Sequence, residues 1–249
     1  MSGHSKWANI KNRKEKQDAQ RGKAFTRVTR EIMVAAREGG PDPAGNFRLR
    51  MAIEKAKEVN MPNENIQRAI KRGAGLIEGE AAYEEVLYEG YGPGGVAILL
   101  DIFTDNRNRT ASEIRHLFSR YGGNLGESGC VAWMFDQKGL LVLERDQPAL
   151  ARLSEDDVML AALDAGAEDF VATEEAYEIT TPPDNLAAVQ GALAENLKVK
   201  FAAAQLTMVP KSTIDVGEKE RQQLAKLVAA LEEHDDVQDI HLNTTLPQE

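Results

Sequence analysis

Tyr88-Glu89-Gly90-Tyr91-Gly92-Pro93-Gly94-Gly95-Val96-Ala97-Ile98-Leu99-Leu100-Asp101-Ile102-Phe103 holds the choice between two very different folds. Its glycines invite comparison with a phosphate-binding loop. A dinucleotide fingerprint, however, needs glycines that open a helix whose N-terminus meets the pyrophosphate. Here Val96–Phe103 follows, apolar on both alternating faces apart from Asp101, which is the pattern of a central strand. Pro93 also withholds a backbone donor. With strand-forming residues over Tyr83–Glu89 ahead of it, the segment reads as the turn of a β-hairpin.

Downstream, the polar run Asp105–Thr110 leads into a helix carrying Ile114, Leu117, Phe118 and Tyr121 and stopped by Gly122-Gly123. Thr110 and Glu113 stand at capping-box spacing. A strand is expected over Val131–Phe135. Then come a strand at Leu140–Leu143, a helix at Ser154–Ala165 capped by Ser154, and strands at Asp169–Ala172 and Tyr177–Thr180. Thr181-Pro182 opens a helix with Leu186, Val189 and Leu193, and a strand follows near Ala204–Val209. That β-α-β-β-α-β order is ferredoxin-like. A last helix with Leu224, Leu227, Val228 and Leu231 and a strand near Val237–Leu242 have no partners of their own. They complete the earlier hairpin segment and leave residues 139–210 as an insertion.

Upstream, three amphipathic helices are expected. Phe25, Val28, Ile32 and Ala36 mark the first, which Gly39-Gly40-Pro41 stops. The second starts near Asp42-Pro43 and buries Leu49, Ala52, Ile53 and Ala56. The third, with Ile66 and Ile70, is capped by Asn63. Arg48, Arg50, Lys55, Lys57, Arg68, Lys71 and Arg72 fall on the outer face. The predicted fold is α+β in three domains: 1–75 as basic arm plus helical bundle, 76–138 with 211–249 as a middle α+β domain, and 139–210 inserted. Both α+β domains are expected to be ferredoxin-like.

Charge is the clearest functional signal. The chain of 249 residues has net charge -10, yet residues 1–75 hold 17 Lys+Arg against 8 Asp+Glu, so the rest is steeply acidic. Such asymmetry points to a polyanion-binding end on an acidic body. Trp7 stands among His4, Lys6, Lys11 and Arg13, an arrangement in which a ring stacks on a base while cations hold phosphates. Trp7 packing on the helical bundle is the equal alternative. The nucleic-acid-binding set read from the sequence is His4, Lys6, Trp7, Lys11, Arg13, Lys14, Lys16, Arg21 and Lys23, with Arg107 and Arg109 as a second contact.

Other chemistries find little support. The single cysteine, Cys130, has no His or basic group in evident register and reads as a small core residue. His4, His116, His234 and His241 lack metal-ligand spacing, so no metal site is expected. Asp156-Asp157 suits the first turn of a helix, and Asp235-Asp236 is expected to be solvated. No catalytic residues and no cofactor are expected. The chain begins polar and basic and nowhere approaches 18 consecutive apolar residues, so a cytoplasmic location without membrane contact is expected.

Four motifs sharpen this reading: Gly3-His4-Ser5-Lys6-Trp7-Ala8-Asn9-Ile10, Tyr88–Gly95, Thr104-Asp105-Asn106-Arg107-Asn108-Arg109-Thr110 and Gly122-Gly123-Asn124-Leu125-Gly126. In this order they closely resemble the YebC family, which includes the mitochondrial translational activator of cytochrome c oxidase. The resemblance implies a helical domain, an α+β domain and a third domain inserted in the second, with no catalysis and no cofactor. It also implies regulation of gene expression, either as a DNA-binding transcriptional regulator or on the ribosome, easing elongation through difficult sequences such as proline runs. A basic arm without a base-reading helix favours structured RNA, so rRNA on the ribosome is the preferred partner and promoter DNA the alternative. An interaction module with an incidental basic arm is a further alternative.

Overall fold

A computed structural model describes residues 21–77 and 83–246, with the side chains of residues 21–23 outside the description. These residues divide into two compact units, one running to Trp133 and resuming over Ile214–Thr244, the other spanning Met134–Thr213. The class is α+β, as the sequence predicts, with an N-terminal helical region and two four-stranded antiparallel sheets.

The helical region contains α1 (Arg21–Gly39), α2 (Phe47–Glu58) and α3 (Asn63–Gly73). Their apolar stripes close on one core, with Val28, Ile32 and Ala36 meeting Leu49, Ala52, Ala56, Ile66 and Ile70. Asn46, only 5% exposed, organises the turn between α1 and α2. Its side-chain oxygen accepts the Leu49 N–H at 2.9 Å, and its amide donates to the carbonyls of Ala35 at 2.7 Å and Gly40 at 2.9 Å. One side chain thus serves the start of one helix and the end of another. This cap sets the start of α2 at Phe47, later than the expected Asp42-Pro43. Asn63, expected as a cap, is the first residue of α3; Pro62 holds the cap position and offers no side-chain acceptor. Gly73 lets α3 approach α1 closely, since a Cβ there would collide with the Met33 backbone.

The first sheet begins with β1 (Glu84–Tyr91) and β2 (Ala97–Thr104), antiparallel from Glu84 opposite Thr104 to Tyr91 opposite Ala97. The glycine-rich segment is therefore a hairpin turn, with Gly94 at φ 75° and Gly95 at φ 76°, a region that favours glycine. Strand order is β3-β1-β2-β8, where β3 is Asn124–Leu125 and β8 is Val237–Leu242. β2 is interior and buried along its length except at half-buried Asp101. Helices α4 (Arg107–Arg120) and α7 (Glu218–Glu232) pack on each other and against β3 and β8. Ile114, Phe118, Leu224, Leu227 and Leu231 are fully buried there.

The strand expected over Val131–Phe135 does not form; Ala132–Met134 is a 3-10 turn. Glu89, itself buried, accepts the N–H groups of Gly129 at 2.6 Å, Val131 at 2.8 Å and Ala132 at 2.7 Å. Amides committed to one carboxylate cannot pair with a neighbouring strand. Burial pushes the Glu89 carboxyl up, but the three N–H donors outweigh it and hold it below the usual range.

The second unit contains β4 (Phe135–Glu144), α5 (Glu155–Asp164), β5 (Asp169–Ala172), β6 (Ala176–Thr181), α6 (Leu186–Leu197) and β7 (Ala203–Pro210). Its strand order β5-β6-β4-β7 with two helices is ferredoxin-like. Leu141, Leu143, Tyr177 and Ile179 meet Val158, Ala162, Leu186, Val189 and Leu193 in the core. β4 is longer than Leu140–Leu143 because β7 pairs with it down to Phe135 opposite Pro210. Ser154 caps α5 as expected, in a reciprocal box with Asp157.

Candidate nucleic-acid interface

His4, Lys6, Trp7, Lys11, Arg13, Lys14 and Lys16 lie outside the described residues. Arg21 and Lys23 are in the first turn of α1. Arg107 and Arg109 stand at the start of α4, where the helix dipole is positive and cations are disfavoured. Acidic partners offset this. Arg107 makes a two-bond contact with Glu84, Nε to Oε1 at 2.6 Å and Nη2 to Oε2 at 2.7 Å. That contact, its largest influence, draws the Glu84 carboxyl below its ordinary range. Arg109 Nη2 donates to Asp105 at 3.0 Å and to Asp236 at 2.8 Å.

The cap of α4 is Asn106, whose side chain accepts the Arg109 N–H at 3.1 Å. The capping box expected at Thr110 and Glu113 is absent, because Thr110 is already inside the helix and fully buried. Its hydroxyl contacts Asp236 Oδ2 at 2.7 Å and the Thr104 hydroxyl at 2.8 Å.

Asp236 is the residue that sequence reasoning missed. Asp235 is exposed as expected, but Asp236 is 3% exposed and joins separate parts of the chain. Arg30 of α1 approaches its Oδ1 at 3.1 Å and also donates to the Asp235 carbonyl. Arg27 donates to the Glu232 carbonyl at 2.6 Å, at the negative end of α7. Burial pushes the Asp236 carboxyl up, but Thr110, Arg109 and Arg30 outweigh it and leave it below the carboxylate norm. The Asp236 N–H donates to His234 Nδ1 at 3.1 Å, so the ring proton is on Nε2 and faces Glu113 at 2.9 Å. Glu113, His234 and Asp236 gather within 4.8 Å. Two guanidinium groups and a hydroxyl already occupy Asp236, a donor set that suits its anion and repels a cation.

On the helical region, Arg48 pairs with Glu38 and Glu85, and Lys55 pairs with Glu31. Arg50 is committed to the carbonyls of Pro43 and Ala44. Lys57, Arg68 and Lys71 are exposed. On α4, Arg115, His116 and Arg120 are exposed too, with the Arg120 guanidinium 5.6 Å from the Tyr121 ring centre. Cys130 is half-buried in the loop ordered by Glu89, not in a strand, and burial pushes its thiol up.

Fold and site together define an α+β protein with a helical N-terminal region tied, through Arg27 and Arg30, to the end of α7 and the Asp236 cluster. Residues 5–76 match the TACO1/YebC protein N-terminal domain and residues 83–244 the TACO1/YebC second and third domain. The chain belongs to the TACO1/YebC family. A relative from Pelotomaculum thermopropionicum is 58% identical over 98% of both chains and is named "Probable transcriptional regulatory protein". One of the same name from Moorella thermoacetica is 57% identical, covering 99% of this chain and 96% of that one. A crystal structure of a conserved hypothetical protein from Aquifex aeolicus superposes with TM-score 0.81 at 50% identity, over 93% of each chain.

Proposed function

We propose that this protein is a nucleic-acid-binding regulator of gene expression that works without catalysis, docking on the ribosome through its basic arm and helical region. The observation that carries this reading is the reversal of charge between residues 1–75 and the acidic remainder. His4, Lys6, Trp7, Lys11, Arg13, Lys14, Lys16, Arg21 and Lys23 form the principal contact in this proposal, with Arg107 and Arg109 as the second. Support for the second contact comes from cations kept at the positive end of α4 against the helix dipole. A phosphate there competes with the partly exposed Glu84 and Asp105 and with buried Asp236. The division into domains 1–75, 76–138 with 211–249, and 139–210 is part of the same reading, as is work in the cytoplasm, easing elongation at sequences such as proline runs. No helix among the described residues is long and apolar enough to cross a membrane.

The relatives' printed name favours a second reading, DNA-binding transcriptional regulation. If about six phosphates are neutralised, log affinity falls against log salt with a slope of roughly -4 to -5. A flat salt response of the purified protein would sink the electrostatic reading. Crosslinking in cells followed by sequencing separates the two targets, with rRNA expected and promoter DNA overturning the ribosomal assignment.

A further inference from the structure

The helical region contains a cleft of about 230 Å³ between α1 and α3. That volume is several times the roughly 30 Å³ of a water molecule and below the roughly 300–1,000 Å³ of sites for drug-sized ligands. Its size is that of one small ring system and not of a larger ligand. Met61 and Ala69, both buried, are its apolar lining, and half-buried Phe25 adds an aromatic ring. Asn65, exposed on the first turn of α3, brings an amide with two donors and an acceptor. Arg68 and Arg72, one and two turns further along α3, supply positive charge, and among the described residues no carboxylate lines the cleft.

We infer that this cleft holds a single unstacked nucleobase of a single-stranded nucleic acid, stacked on Phe25, read at its edge by Asn65 and with its phosphate on Arg68. The inference rests on the proposed nucleic-acid function and adds a base-binding subsite to it. An aromatic ring, a side-chain amide and a guanidinium are the groups by which proteins capture splayed-out bases. Charge complementarity selects this occupant over an apolar peptide side chain, which would set hydrocarbon against a cationic rim. The cleft opens at Phe25, in the second turn of α1.

The test uses the full chain and fluorescence anisotropy with a labelled single-stranded RNA, the same strand with abasic sites, and both strands in DNA. Phe25→Leu, which keeps the packing apolar, and Asn65→Ala, at an exposed position, each weaken binding of the base-bearing strand about tenfold. Neither changes the salt slope or the affinity for the abasic strand. Arg68→Ala lowers the slope by roughly 0.7, the share of one phosphate. A loss confined to RNA or to DNA identifies which supplies the base. Equal loss on base-bearing and abasic strands, or no loss on either, overturns the pocket. The pocket is equally overturned if Trp7 of this chain crosslinks into the cleft and nucleic acid fails to displace it. If instead the unmodified protein binds no strand at all, the proposed function itself fails, and the two failures are distinguishable.

Discussion

At the scale of single residues, two buried carboxylates organise the unit that contains the helical region. Asp236 accepts from Arg30, Arg109 and Thr110, so removing it leaves two guanidinium groups and a buried hydroxyl without their shared acceptor. Asp236→Ala is expected to cost about 3 kcal/mol, read as a lower denaturation midpoint. Thr110→Val keeps the shape and should cost less. Glu89 gives the pH prediction. Its folded pKa lies below the ordinary glutamate value, so it stabilises the fold above about pH 4.3, and that contribution disappears as pH falls through the folded pKa. Urea titrations between pH 3 and 7 should therefore show a shallower acid limb in Glu89→Gln than in the parent. An unchanged limb would mean that the three amides bind the carboxylate no better than water does.

At the scale of elements, apolar spacing made most of the fold legible. The stripes of α1, α2, α3, α4 and α7 and the interior character of β2 follow from residue type and period alone. Element ends and the third strand were less legible, because they depend on side chains that compete for backbone groups. Asn46 caps a helix expected to start near Asp42-Pro43, Asn106 takes the cap expected at Thr110, and Glu89 claims the amides that a strand at Val131–Phe135 needs. Asp236 was illegible for a different reason: its partners come from α1 and α4, and no local pattern announces a contact so distant in sequence. Two substitutions test the helical packing. Gly73→Ala forces α3 away from Met33 and should cost about 2 kcal/mol. Asn46→Ala removes a cap and two further hydrogen bonds, with a similar loss expected in chemical denaturation.

At the scale of the molecule, charge is sorted along the chain, and this sorting gives the proposed regulator its direction of approach to a polyanion. Deleting residues 1–20 removes Lys6, Lys11, Arg13, Lys14 and Lys16 and should reduce the salt slope by roughly 3 to 4. Circular dichroism should meanwhile report a folded chain, since Val28, Ile32 and Ala36 meet Leu49, Ala52 and Ile66 in a core among the described residues. The pairing of β4 with β7 carries a mechanical consequence. Phe135 lies opposite Pro210, so the chain enters and leaves the Met134–Thr213 unit on adjacent strands at the same edge of the ladder. Tension applied at these two ends therefore peels β4 from β7 one hydrogen bond at a time instead of shearing the whole ladder at once. In optical tweezers with handles attached at residues 134 and 213, this unit should yield at low force.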